Sequence, residues 1–222
     1  MKRALLVIAA VALVAAAPGT SAKPSGLSAN ITNPYWPMKP GTRWVYREGA
    51  TKKNVVTILP RTTRILGLET RAVHDVVYEH GKLKEDTEDW YAQDRKGNVW
   101  YMGEATKEYS GGRVSTEGSW RAGVNGAQPG IIVPAHPRIG ASYRQEYLKG
   151  HAEDNARNMS VDEQLTVPQG HYDHVFMTRE TTPLEPKVLE YKFYARGVGP
   201  LLAISVSPDL SFERLVSFKR GA

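Results

Sequence analysis

The chain is 222 residues long, with 29 Lys and Arg against 23 Asp and Glu, a formal net charge of +6, and no cysteine. The missing thiols exclude a disulfide framework, a thiolate zinc site and a lipid-bearing cysteine. The basic residues never run longer than two in a row, which excludes the continuous basic stripe of a nucleic-acid binder.

Residues 1–22 predict a secretory signal peptide. Met1, Lys2 and Arg3 form a basic start, 4–17 is an apolar run too short to span a bilayer, and the small residues to Ala22 suit cleavage there. The expected destination is the periplasm or the exterior. Without Lys2 and Arg3 the mature chain holds 27 basic and 23 acidic residues, a net charge of +4. No second apolar run follows, so the mature chain is expected to have no transmembrane segment, and about 200 residues suffice for one core. Residues 23–41 predict a polar, loose leader to residue 32, then a strap, NPYWPMKPG, whose prolines cannot join a ladder and whose anchors are Tyr35 and Trp36.

From Thr42 onward the dominant period is two. Segments 42–48, 69–80, 142–148, 172–180, 188–195, 201–206 and 211–218 alternate apolar and polar residues between Gly, Pro, Asn or Asp, as strands do. Residues 151–159 predict a short helix. The Gly- and Pro-rich 119–138 predicts a long surface excursion of the kind that carries function. The expected fold is all-β with few short helices: residues 42–222 form a single domain, a curved antiparallel meander closing into a half-barrel or barrel.

The stretch EDTEDWYAQDRKGNVWYMGE, 85–104, gathers six carboxylates and four large aromatics around one turn. Asp94-Arg95-Lys96-Gly97 suits a type I turn with glycine in the left-handed position, pairing Asp94 with Asn98. Counting from that pair sets Trp100 against Ala92, Met102 against Trp90, and Glu104 against Glu88. These residues form the expected inward face, with Asp86 beside them. Asp89, Tyr91 and Tyr101 fall on the outer face with a Glu85/Lys107 pair. Facing glutamates about 5 Å apart repel unless a cation or a shared proton intervenes. Three readings stay open: a solvated pair at the sheet edge, a Ca²⁺ site at Asp86, Glu88 and Glu104, or the acid/base pair of a glycan hydrolase. Beyond that Ca²⁺ no cofactor is expected.

Five tryptophans and eleven tyrosines exceed what a core of this size needs. An aromatic-lined concave sheet holds apolar or sugar ligands, so the candidate ligand-binding set is Glu88, Trp90, Trp100, Met102, Glu104 and Trp120. Other chemistry is sparse. His171 and His174 fall on opposite strand faces, His74 and His80 stand about 20 Å apart, and 140–144 starts like a nucleophile elbow but ends in arginine. An exported, non-enzymatic binding protein of the cell envelope therefore leads, holding an apolar ligand or a divalent cation near the 85–104 hairpin, with a lipid, a glycan or a divalent cation as its possible partners. The paired-glutamate hydrolase comes next, and a structural or partner-binding module third, its partner protein unknown.

Residues 85–104, 118–154 and 182–199 together resemble an uncharacterised family of exported bacterial β-rich proteins. That resemblance covers roughly 85–199, most of the mature chain, and implies an exported, β-rich protein without implying an activity. In architecture the chain is also similar to envelope lipid carriers of the lipoprotein-localisation type, which wrap a curved sheet around an apolar cavity under helices. The scarcity of helical periodicity here departs from that pattern.

Overall fold

The computed structural model describes residues 26–222; the predicted signal peptide lies outside them. Fifteen strands carry the fold: β1 Arg43–Glu48, β2 Lys52–Ile65, β3 Leu68–Glu79, β4 Lys82–Gln93, β5 Val99–Ser110, β6 Arg113–Ser115, β7 Trp120–Arg121 and β8 Gln128–Val133. After these come β9 Ser142–Arg144, β10 Glu146–Tyr147, β11 Asn155–Val167, β12 Gly170–Thr181, β13 Leu189–Ala195, β14 Gly199–Ser207 and β15 Ser211–Lys219. No helix occurs among the described residues, and so none long and apolar enough to cross a membrane.

Every pairing is antiparallel, and the strands follow one path, β10-β8-β5-β4-β3-β2-β1-β15-β14-β13-β12-β11-β9, with β6 and β7 as side pairings on β5. Neighbours in space are close in sequence except where β1 meets β15, Arg43 opposite Lys219. The two ends of the path are halves of one segment: 142–144 pairs with β11, 146–147 with β8, and Gln145 joins them. The sheet is thus a curved meander whose edges meet end to end through Gln145, without the side-by-side ladder that would close a barrel.

Tight turns follow from local chemistry. His80 and Gly81 both take positive φ (50° and 75°), the type I′ pattern whose twist matches a hairpin. In the 94–97 turn, Gly97 N–H donates to the Asp94 carbonyl at 2.9 Å and the Asp94 side chain accepts from the N–H groups of Lys96 and Asn98.

Three expectations are corrected. The stretch 119–138 returns to the sheet as β7 and β8 along β5, because Gly130 lets the backbone pass close to Arg144 and Gln145, where a Cβ would meet a carbonyl at 2.4 Å. Residues 151–159 make a turn and the start of β11 in place of a helix. The leader is tied down over its described part, with Ser28 and Gln93 exchanging backbone hydrogen bonds at 2.9 and 2.8 Å. In the strap, Asn33 caps the turn through Oδ1, accepting from Tyr35 N–H at 2.8 Å, and its amide donates to Gly97 O. Tyr35 packs on Phe176 and Trp36 on Tyr91 and Tyr194, so the strap lies against the concave face.

Candidate functional site

The 85–104 hairpin forms with its turn as expected and Ala92 opposite Trp100, but its lower half is out of the expected register. A bulge between Trp90 and Tyr91 sets Trp90 against Gly103, Asp89 against Glu104 and Glu88 against Ala105. The cause is Gly103, at φ +130°, where β7 crosses so closely that a Cβ would lie 2.4 Å from Trp120 O. The extra residue switches parity along β5, so Tyr101 and Glu104 share a face that alternation alone would split. That face also holds Asp89 and Tyr91, and it is the concave one.

The expected inward face is therefore the outer one. Glu88 takes a two-pronged ion pair from Arg61 and the indole N–H of Trp90 at 2.9 Å, interactions that hold its carboxyl below the usual range. Trp90 is 8% exposed beneath the Arg121 guanidinium, and Trp100 donates to Asp94 at 2.9 Å. Met102 is fully buried on the same side. Asp86 pairs with His74 at 2.8 Å, on the Glu88 face and away from Glu104. The structure thus does not bring the proposed Ca²⁺ ligands Asp86, Glu88 and Glu104 together, and among the described residues no group of three His, Asp or Glu side chains is placed to hold a metal ion. Glu88 and Glu104 are not the facing pair of a hydrolase. Of the six candidate ligand-binding residues, Glu104 reaches the interior, and Trp120 supports it by meeting the Tyr101 ring edge-on at 5.3 Å.

Against the concave face lies a cavity of about 320 Å³. Its aromatic wall is Trp36 from the strap, Tyr46 from β1, Tyr91 and Tyr101 stacked at 4.9 Å, and Tyr194 from β13. Carboxylates enter from almost every side: Asp75 on β3, Asp89 on β4, Glu104 on β5, Glu146 on β10, Glu180 on β12 and Glu213 on β15. Asp154, exposed and yet part of the lining, marks where the cavity meets solvent. The one basic side chain among the described lining residues is Lys192, held by Glu180 at 2.8 Å and Glu190 at 3.1 Å. A second cavity of about 430 Å³ lies between the strap and the C-terminal strand; three prolines are in its wall, and among the described lining residues Lys39 and Arg220 are the charged ones. The acidic interior is where the chemistry concentrates.

Burial dominates the electrostatics of that interior. It pushes Asp89 up to about 7, partly opposed by the Tyr101 hydroxyl, which donates to Asp89 at 2.6 Å. Glu104 rises to about 9 from burial and the adjacent Asp89, and Glu146 to about 8 from burial and Asp154. Asp75, with burial and Asp89 acting together, is raised well above its ordinary value. Lys192 loses basicity to burial but regains more from Glu180 and Glu190, and stays charged. Several polar atoms here lack a hydrogen-bond partner among the described residues: Asp75 Oδ1, Asn54 Oδ1, Trp36 Nε1 and the side-chain amide nitrogen of Gln145, a residue only 2% exposed. Buried polar groups are ordinarily paired, and leaving them unpaired is costly.

Sequence reasoning missed this set because its members are spread over the strap, a loop and most strands of the sheet. A local signal existed: Asp89-x-Tyr91, Lys192-x-Tyr194 and Glu213-x-Leu215 each place a charged side chain on the same strand face as a buried residue.

No protein-family model matches the chain, and no curated protein does. Among solved structures it is similar to one described as "Crystal structure of a putative lipoprotein from Parabacteroides distasonis ATCC 8503", with 14% identity, 83% of this chain and 98% of that chain covered, and a TM-score of 0.46.

Proposed function

We propose that the protein is an exported, non-enzymatic binding protein of the cell envelope that takes its ligand into the concave interior of the sheet. The observation that carries this reading is the cavity of about 320 Å³, walled by aromatic rings and carboxyls, with buried polar atoms beside it that a ligand can satisfy. The export half rests on the signal-peptide pattern of residues 1–22. The lining favours a polar ligand over the lipid of the architectural analogy, since burying so many carboxyls against hydrocarbon is unfavourable.

A second reading is favoured by one observation. Asp89 and Glu104 face each other across β4 and β5, and burial raises the proton affinity of both, so the two carboxyls can share a proton as an acid/base pair does. A glycan hydrolase built on these two residues would lose turnover in Glu104→Gln while staying folded.

Native mass spectrometry of the protein purified from an envelope fraction, without added metal or detergent, separates the readings. A bound mass that survives a chelator and leaves on denaturation is expected. A bare chain before and after the chelator would overturn the binding reading. An adduct stripped by the chelator would mean a metal ion.

A further inference from the structure

The charge, shape and unpaired groups of the interior narrow the ligand's chemistry, granted that the interior is the binding site. We propose that the cavity takes a small organic polycation, a diamine or polyamine, with its ammonium groups among Asp75, Asp89, Glu104 and Glu146 and its methylenes against the tyrosine and tryptophan rings.

Charge balance comes first. Among the described lining residues seven carboxyls face one lysine, and that lysine is already held by Glu180 and Glu190. Spacing then decides between kinds of cation. A calcium ion needs about six to eight oxygens in a single shell, whereas these carboxyls are spread over separate strands and no three converge on a point. A cation several bonds long can meet separated carboxyls in turn. The aromatic wall adds to this: Trp36, Tyr46, Tyr91, Tyr101 and Tyr194 line the same cavity as the acids, and aromatic rings bury methylenes and attract ammonium groups.

Of the unpaired atoms, the acceptors Asp75 Oδ1 and Asn54 Oδ1 suit an ammonium donor, while Trp36 Nε1 is itself a donor that an ammonium does not satisfy. Asp75 and Asn54 both line the cavity. Gln145 is buried, lines the cavity at the joint of the two sheet ends, and leaves its amide unpaired; a half-turn of that amide offers its carbonyl to an ammonium N–H.

Proton linkage follows from the same arrangement. The free cavity holds its acids protonated well above the ordinary carboxyl range. An arriving ammonium favours the carboxylate form, so binding releases protons and strengthens with pH. The other groups facing these acids are Glu85, Asp154, Glu180, Glu213, Lys192 and the hydroxyls of Tyr46, Tyr91, Tyr101 and Tyr194. Lys192 stays charged throughout the range and sets no step in it.

The test is isothermal titration of the purified protein with spermidine, and with hexanediol as a neutral probe, at about pH 6 and about pH 9. Spermidine should bind about tenfold or more tighter at the higher pH, and the heat should vary with the buffer's ionisation enthalpy as protons leave. Asp89→Asn and Glu104→Gln keep the shape of the protonated acids and should each weaken spermidine by about tenfold or more. The proposal is overturned if spermidine binds no better than hexanediol, if binding is independent of pH without proton release, or if both folded variants bind like the native chain. The pH and diol comparisons need no variant. If spermidine fails while the purified protein carries an uncharged molecule, the polycation is wrong and the binding reading stands; a bare chain with a silent titration removes both.

Discussion

At the scale of single residues, the interior acids make stability depend on pH in an unusual direction. In the unfolded chain Asp89, Glu104 and Glu146 titrate near 3.8 and 4.5; folded, they hold their protons to about 7, 9 and 8. Between those limits the folded chain binds more protons than the unfolded one, so stability declines as pH rises, and the loss is complete above about 9. The melting temperature of the free protein should therefore be higher near pH 5 than near pH 8. Glu104→Gln, which carries no charge to bury, should flatten the slope and raise the melting temperature at the alkaline end. An unchanged slope would mean Glu104 titrates normally. Trp100→Ala makes the complementary case. Its indole is 7% exposed on the outer face and bonded to Asp94, so truncation should cost about 3 kcal/mol or more in urea unfolding and leave interior ligand affinity unchanged. The residue types of the site were legible in the sequence, as Glu104 shows. Their facing was not, because tyrosines suit a wet boundary as well as a buried one, and acids on an inner wall look like acids on a solvated edge.

Among the elements, those with clean alternation were legible and those with an irregular ladder were not. β3, β12, β13 and β15 fall close to their expected bounds. β2 escaped because Pro60 interrupts its run, and the ladder to β3 shifts register between Ile58 and Thr62, where proline has no N–H to give. β11 is polar along much of its length and shifts register against β12 three times, which blurs its period. The decisive irregularity for the site is the Gly103 bulge, which a count of twos passes over; the lone glycine inside the β5 run is its one local signal, and the crossing of β7 lies outside that run. Gly103→Ala would strain a backbone at φ +130° and press a methyl on Trp120 O. It should cost at least about 2 kcal/mol and, where the chain still folds, loosen the Asp89–Glu104 pairing, read as a shift in the titration of Asp89 by NMR. A variant as stable as the native chain would show that the bulge can move elsewhere.

For the whole molecule, the sheet path sets an order of assembly. Each hairpin from β2 to β5 and from β11 to β15 joins neighbours in sequence, and even the two sheet ends meet through residues 128–157. One join alone spans nearly the full chain, β1 on β15. Closing so long a loop costs conformational entropy before its contacts repay it, so the two arms should form first and lock together last. The kinetic signature is specific. Leu215, fully buried on β15 opposite Tyr46, belongs to that last join, so Leu215→Ala should speed unfolding and leave refolding nearly unchanged. Val73→Ala, within the β2–β4 arm, should slow refolding. Until the join is made the acids of the two arms face water from separate pieces, and bringing them together is the step that gathers their protons.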